Sequence, residues 1–111
     1  MLNVIYEWRV YDTHPRKLSA LLERFRNGEM KLFEKHGMKI VGFWTNLIGG
    51  ESGVLYYMVG YKDLADREKC WQGFESDPEW QKMREESERE GLLVRKVRNM
   101  LLRPTDFSPL K

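Results

Sequence analysis

Two oppositely charged side chains stand two residues apart in an apolar, alternating segment near the start of the chain. Glu7 and Arg9 lie within residues 2–11, and this spacing places both on one face of a β-strand, about 7 Å apart. One interpretation makes Arg9, or Arg103 on a neighbouring last strand, an anchor for a substrate carboxylate or enolate. The other makes Glu7 and Arg9 a structural ion pair.

Two histidines and one cysteine are the remaining side chains that suggest chemistry. His36 is a candidate general base near neutral pH, but its place at a predicted helix end favours a charge that caps the helix dipole. His14 lies far from His36 in the sequence, and neither has ligand-like companions, so we expect no metal site. No cofactor motif is present either. Cys70 stands alone, which favours a reducing compartment.

Aromatic residues are concentrated in the predicted strands. Trp44 and Tyr57 are the candidates for an apolar pocket that would hold a small hydrophobic or aromatic ligand. Aromatic side chains on central strands also form cores and interfaces, and the sequence leaves both interpretations open. Further aromatic residues of these strands are Tyr6, Trp8, Tyr56 and Tyr61.

Length and charge exclude several classes of protein. A chain of 111 residues predicts one domain, here residues 1–111. Its 32% charged residues leave a net charge of only +2, which argues against a nucleic-acid-binding protein. No apolar run approaches the roughly 20 residues of a membrane span. The first residues resemble neither a signal peptide nor a transit peptide, so we expect a cytoplasmic protein.

Strand and helix patterns alternate in the order β-α-β-β-α-β. Apolar alternation predicts strands at residues 2–11, 38–45, 54–61 and 97–103, and helical spacing predicts helices over 15–36 and 63–90 with a restart at Pro78. We expect Thr13 to cap the first helix, a kink at Asn27-Gly28, and a docked tail over residues 103–111. The order predicts an α+β, ferredoxin-like βαββαβ fold, in which both helical segments cover one face of a four-stranded antiparallel sheet.

The third strand predicts a partner for the other face of the sheet. Residues 54–61 contain no charged side chain, whereas an antiparallel strand with one wet face alternates between apolar and polar residues. The helices cover one face only. We therefore expect a homodimer in which the sheets of two copies pack face to face into an α/β barrel.

Four sequence blocks resemble the NIPSNAP family. They are residues 6–11 (YEWRVY), 35–44 (KHGMKIVGFW), 77–80 (DPEW) and 103–110 (RPTDFSPL), in the family's order and across nearly the whole chain. Trp8 replaces the usual leucine, and Arg16 stands where the family often has glycine after the proline. The resemblance implies a dimeric α/β barrel built from ferredoxin-like monomers.

The resemblance implies no catalytic residues, because the family has no catalytic motif that maps onto this chain. Two functions therefore stay open. One is a non-catalytic module that binds a small molecule or drives assembly. The other is a cofactor-independent monooxygenase or isomerase for a small aromatic compound, suggested by enzymes of the wider fold group, although fold alone does not determine function.

Overall fold

An antiparallel sheet of four strands forms the centre of the molecule in the computed structural model, which describes residues 4–111. The strands are β1 (Ile5–Thr13), β2 (Lys39–Thr45), β3 (Val54–Tyr61) and β4 (Val94–Leu102). They lie in the order β2-β3-β1-β4, and every neighbouring pair is antiparallel. This order confirms the predicted α+β, ferredoxin-like arrangement. The part of the first predicted strand before residue 4 lies outside the described residues.

The first helical segment begins later than predicted and contains an irregular turn. It consists of α1 (Leu18–Arg24), a π-helical turn (Phe25–Glu29) and α2 (Met30–Lys35), so the predicted interruption at Asn27-Gly28 is confirmed. The prediction that Thr13 caps this helix is wrong. Thr13 is the last residue of β1, and its hydroxyl donates to the carbonyl of Gly53 at 2.7 Å. The Thr13 side chain therefore links the end of β1 to the residue before β3 and does not cap the helix.

The second helical segment restarts as predicted. It consists of α3 (Leu64–Ser76) and α4 (Pro78–Ser87). Asp77 accepts a hydrogen bond from the backbone N–H of Glu79 at 2.9 Å, while Pro78 occupies a position where no N–H is needed. No helix among residues 4–111 is long and apolar enough to cross a membrane. β4 starts at Val94, three residues before the predicted position.

The core lies between the helices and one face of the sheet. Phe33 and Tyr57 are completely buried in it, and Phe33 packs edge-on against Phe74 with ring centroids 4.9 Å apart. Phe74 in turn stacks on Trp80 at 4.6 Å. The sheet supplies alternate residues of β3 to this core, namely Leu55, Tyr57, Val59 and Tyr61.

The opposite face of the sheet, which we call the open sheet face, carries large apolar side chains without a covering layer. Its uncharged members on the four strands are Tyr6, Trp8, Val10, Gly42, Trp44, Val54, Tyr56, Met58, Gly60, Met100 and Leu102, and Asp12, Lys96 and Arg98 lie on the same face at one end. The ring of Trp8 lies 5.8 Å from those of Trp44 and Tyr56. Trp44 is 47% exposed and Met100 is 55% exposed. The sheet therefore carries large apolar side chains on both faces.

Candidate functional site

A polar network between the sheet and α3 surrounds Glu7, whose side chain is completely buried. One carboxylate oxygen, Oε1, accepts from the Tyr61 hydroxyl at 2.7 Å and from Arg67 at 3.0 Å. The other, Oε2, accepts from Arg9 at 2.9 Å, Arg67 at 3.0 Å and Asn99 at 2.8 Å. Five donated hydrogen bonds thus hold one carboxylate, and they come from β1, β3, α3 and β4.

Arg9 extends this network toward two buried tyrosines. Its Nε donates to the hydroxyl of Tyr57 at 2.6 Å, and its Nη2 donates to that of Tyr11 at 3.2 Å. The Tyr57 hydroxyl itself donates to Tyr11 at 2.7 Å. The guanidinium carbon lies 4.4 Å from the ring centroid of Trp71, a favourable cation–π distance. Arg9 keeps only 12% of its side chain exposed, whereas Arg67 keeps 22% exposed.

Protonation states in the network are fixed at neutral pH. Burial by itself raises the pKa of Glu7, but the hydrogen bonds, led by those of Arg67, outweigh it and lower the pKa to about 2. Burial raises the pKa of Tyr57 well above its ordinary value, and it raises that of Tyr11 as well. The network therefore holds an ionised glutamate, cationic arginines and protonated tyrosines.

Glu29 is a second buried acid, and the sequence reasoning did not identify it. It lies in the π-helical turn with 2% of its side chain exposed, and it accepts from Nε of Arg24 at 2.8 Å. Burial raises its pKa to about 7, against the opposing charges of Arg24 and Arg9. The sequence carries one signal for it. Glu29 stands four residues after Phe25 and three before Leu32, on a helix face where an apolar residue is expected. π-Helical turns occur frequently at functional sites.

His36 lies outside the polar network. It ends α2, as the capping alternative predicted, and its Nε2 is 2.7 Å from the Asp77 carboxylate. Lys35 reaches the same oxygen at 2.9 Å. Hydrogen bonds from Lys35 and His36 hold the pKa of Asp77 well below its ordinary value. This cluster joins the end of α2 to the start of α4, and Phe74 lies between it and the core.

The structure brings together three of the six residues singled out in the sequence: Glu7, Arg9 and Tyr57. Trp44 lies on the open sheet face, on the other side of the sheet from these three. Arg103 follows β4 and is exposed, and it is Asn99 that supplies the contact of β4 with Glu7. In residues 4–111, no three His, Cys, Asp or Glu side chains lie close enough together to hold a metal ion.

Comparisons with known proteins agree with the resemblance in the sequence. A family model described as NIPSNAP matches residues 6–109. A NIPSNAP family protein of Agrobacterium tumefaciens is 28% identical, with a TM-score of 0.85 over 97% of this chain and 99% of that chain. An uncharacterized NIPSNAP-like domain protein of Burkholderia xenovorans is 25% identical, with a TM-score of 0.85 over 98% and 91%. The sequence matches no curated protein.

Proposed function

Since the chain belongs to the NIPSNAP family, we propose that it works as a homodimeric module in which the open sheet faces of two copies pack together into a barrel. One observation carries this proposal: the sheet has large apolar side chains on both faces, and the helices cover only one of them. Trp44 on the edge strand β2 and Met100 on the edge strand β4 remain about half exposed on the uncovered face. Large apolar patches of this kind on a single chain mark interaction surfaces.

A second copy is the occupant that fits the open sheet face best. The face is itself a sheet with an aromatic centre formed by Trp8, Trp44 and Tyr56, and sheets pack face to face about 10 Å apart with interdigitating side chains. A two-fold axis through this centre would cover each aromatic group with the same group of the partner.

The tail also carries apolar side chains that are exposed on the single chain, Phe107 at 81% and Leu110 at 45%. Docking of the tail on a partner is therefore part of this proposal.

Light scattering on purified protein tests the dimer. We expect a mass of about twice the 13.3 kDa of one chain at micromolar concentration. Trp44→Glu places a charge beside Trp8 on the open sheet face, and we expect a monomer because a buried unpaired charge is strongly unfavourable. Leu47→Glu is the matched control, since Leu47 is 94% exposed in the β2–β3 loop. A monomeric wild-type protein, or a W44E variant that stays dimeric, would contradict the proposal.

Small-molecule binding is a second candidate function, and Glu29, which lies outside the polar network but is influenced by the charge of Arg9, favours its enzymatic form. A buried carboxyl with a pKa of about 7 is suited to take a proton from a phenol or enol, and Arg9 would stabilise the resulting anion. This chemistry belongs to a cofactor-independent monooxygenase or isomerase acting on a small aromatic compound. The test follows oxygen uptake and thermal shift with a panel of dihydroxyaromatics. Oxygen uptake that is lost in the Glu29→Gln variant would support the enzyme. If no compound causes oxygen uptake or a thermal shift, the non-catalytic binding or assembly module is the function that remains.

Cys70 is consistent with a cytoplasmic location, which we also propose. Its side chain is buried in α3 and lies 3.8 Å from a carboxylate oxygen of Asp66. Burial and that neighbouring charge raise the pKa of the thiol, so it stays protonated and poorly nucleophilic. Localisation of a fluorescent fusion protein in the source cell tests this proposal, and export from the cytoplasm would contradict it.

A further inference from the structure

A groove at one end of the sheet, on the side of the β1–α1 turn, is lined by basic and hydroxyl side chains. It has a volume of about 690 Å³, within the roughly 300–1,000 Å³ of small-molecule sites. No carboxylate lines it. The polar side chains that line it include His14, Arg16, Ser19, Ser52 and Arg95. Across residues 4–111, neither Arg16 nor Arg95 forms an ion pair with an acidic side chain.

Arg16 reaches this groove from an unusual backbone conformation. The backbone N–H of Lys17 donates to the carbonyl of His14 at 3.0 Å, which closes a β-turn with Pro15 and Arg16 at its centre. Arg16 has φ +65°, and a turn with this angle at its third residue favours glycine. Among residues 4–111, Arg16 is the only non-glycine residue with positive φ. Strained residues of this kind are concentrated at ligand-binding sites.

Arg95 reaches the same groove from a second backbone irregularity. Asp12 pairs with Lys96 and Thr13 pairs with Val94, so Arg95 is an extra residue of β4 without an opposite residue on β1. Such bulges re-aim a side chain and are over-represented next to active sites. Two independent departures from regular backbone thus direct two arginines into one groove.

We propose that this groove binds a small anion with two or more negative charges, of the phosphate or polycarboxylate class. Guanidinium groups bind the planar oxygen pairs of both classes through paired hydrogen bonds. Ser19 and Ser52 also line the groove and add hydroxyl donors to it. The groove shares no residue with the polar network, and Arg95 also borders Val54 and Tyr56 of the open sheet face.

Isothermal titration with inorganic pyrophosphate and, separately, with citrate tests the proposal and distinguishes the two anion classes. We expect wild-type protein in low-salt buffer to bind at least one probe with a dissociation constant on the order of millimolar or tighter. Arg95→Gln and Arg16→Gly should each weaken binding about ten- to hundredfold, the usual effect of losing one charge-assisted hydrogen bond. Arg26→Gln is the control, because it removes the same charge from an exposed helix site that pairs with Glu23.

Arg16→Gly also separates a binding role from a general loss of folding. Glycine adopts positive φ without strain, so this variant should melt at the same or a higher temperature while it loses affinity for the anion. Light scattering should give the same mass as for wild type. Three results would each overturn the proposal: wild-type protein that binds neither probe, R16G and R95Q variants that bind as tightly as wild type, or an R26Q variant that weakens binding equally.

Discussion

Substitution of Glu7 by glutamine removes one charge from the most heavily hydrogen-bonded carboxylate of the molecule. The glutamine oxygen can keep the three donors at Oε2, but its amide nitrogen would then face Tyr61 and Arg67, the two donors at Oε1. Both would lose their acceptor, and Arg9 and Arg67 would lose the negative charge between them. Breaking a buried ion pair by removal of one partner costs about 3–5 kcal/mol. For 111 residues, this corresponds to about 12–20 °C in melting temperature.

Thermal and urea denaturation followed by circular dichroism measure this effect. Glu68→Gln is the control, because Glu68 is 67% exposed and lies 3.6 Å from the same Arg67; an exposed pair contributes less than about 1 kcal/mol. Since the pKa of Glu7 is lowered from 4.5 to about 2, its stabilisation is present above pH 4.5 and is lost as the pH falls toward 2. The E7Q variant should lack that acid-dependent loss. An E7Q variant within about 1 kcal/mol of wild type would refute this reasoning.

Two further predictions concern the interior next to this carboxylate. The pKa of Glu29 is raised from 4.5 to about 7, so wild-type protein should lose about 3 kcal/mol of stability relative to Glu29→Gln as the pH rises between these two values. Urea denaturation of both proteins at pH 5 and pH 8 measures this difference. An equal change in unfolding free energy for both proteins would contradict the prediction. Tyr57→Phe removes the hydroxyl that accepts from Arg9 and donates to Tyr11, and it should cost about 1–3 kcal/mol by urea denaturation. An unchanged unfolding midpoint would show that the Arg9 bond is not stabilising.

The order of strands and helices could be predicted from the sequence because the relevant signals are local. Alternation places Glu7, Arg9 and Tyr11 on one face of β1, and the structure pairs this face with Tyr57 and the helices. Asp77-Pro78 marks the helix restart by its own capping chemistry. Thr13 was wrongly predicted to be a helix cap because its hydrogen-bond partner, Gly53, is forty residues away, and no local sequence pattern predicts such a contact.

Only part of the candidate site could be predicted, because some of its residues carry a local signal in the sequence and others do not. Glu7 and Arg9 stand out as charges within an apolar strand. Arg67 lies in a charged stretch and Asn99 in a mixed one, and both gain their role only when α3 and β4 reach β1. Glu29 looks like an ordinary exposed helix residue unless its position in the apolar spacing is noticed. Its raised pKa follows from burial, and burial is a property of the assembled fold.

The central position of β1 determines when the sheet can be completed during synthesis. β1 is made first, but its two neighbours are β3 and β4, and its contacts with β4 join residues 81 to 96 positions apart in the chain. Contacts of such long range slow folding because much of the chain must be ordered before they form. As the chain leaves the ribosome, β1 therefore stays without a neighbour until β3 has emerged. The hydrogen bond from Asn99 to Glu7 forms only when the last strand arrives.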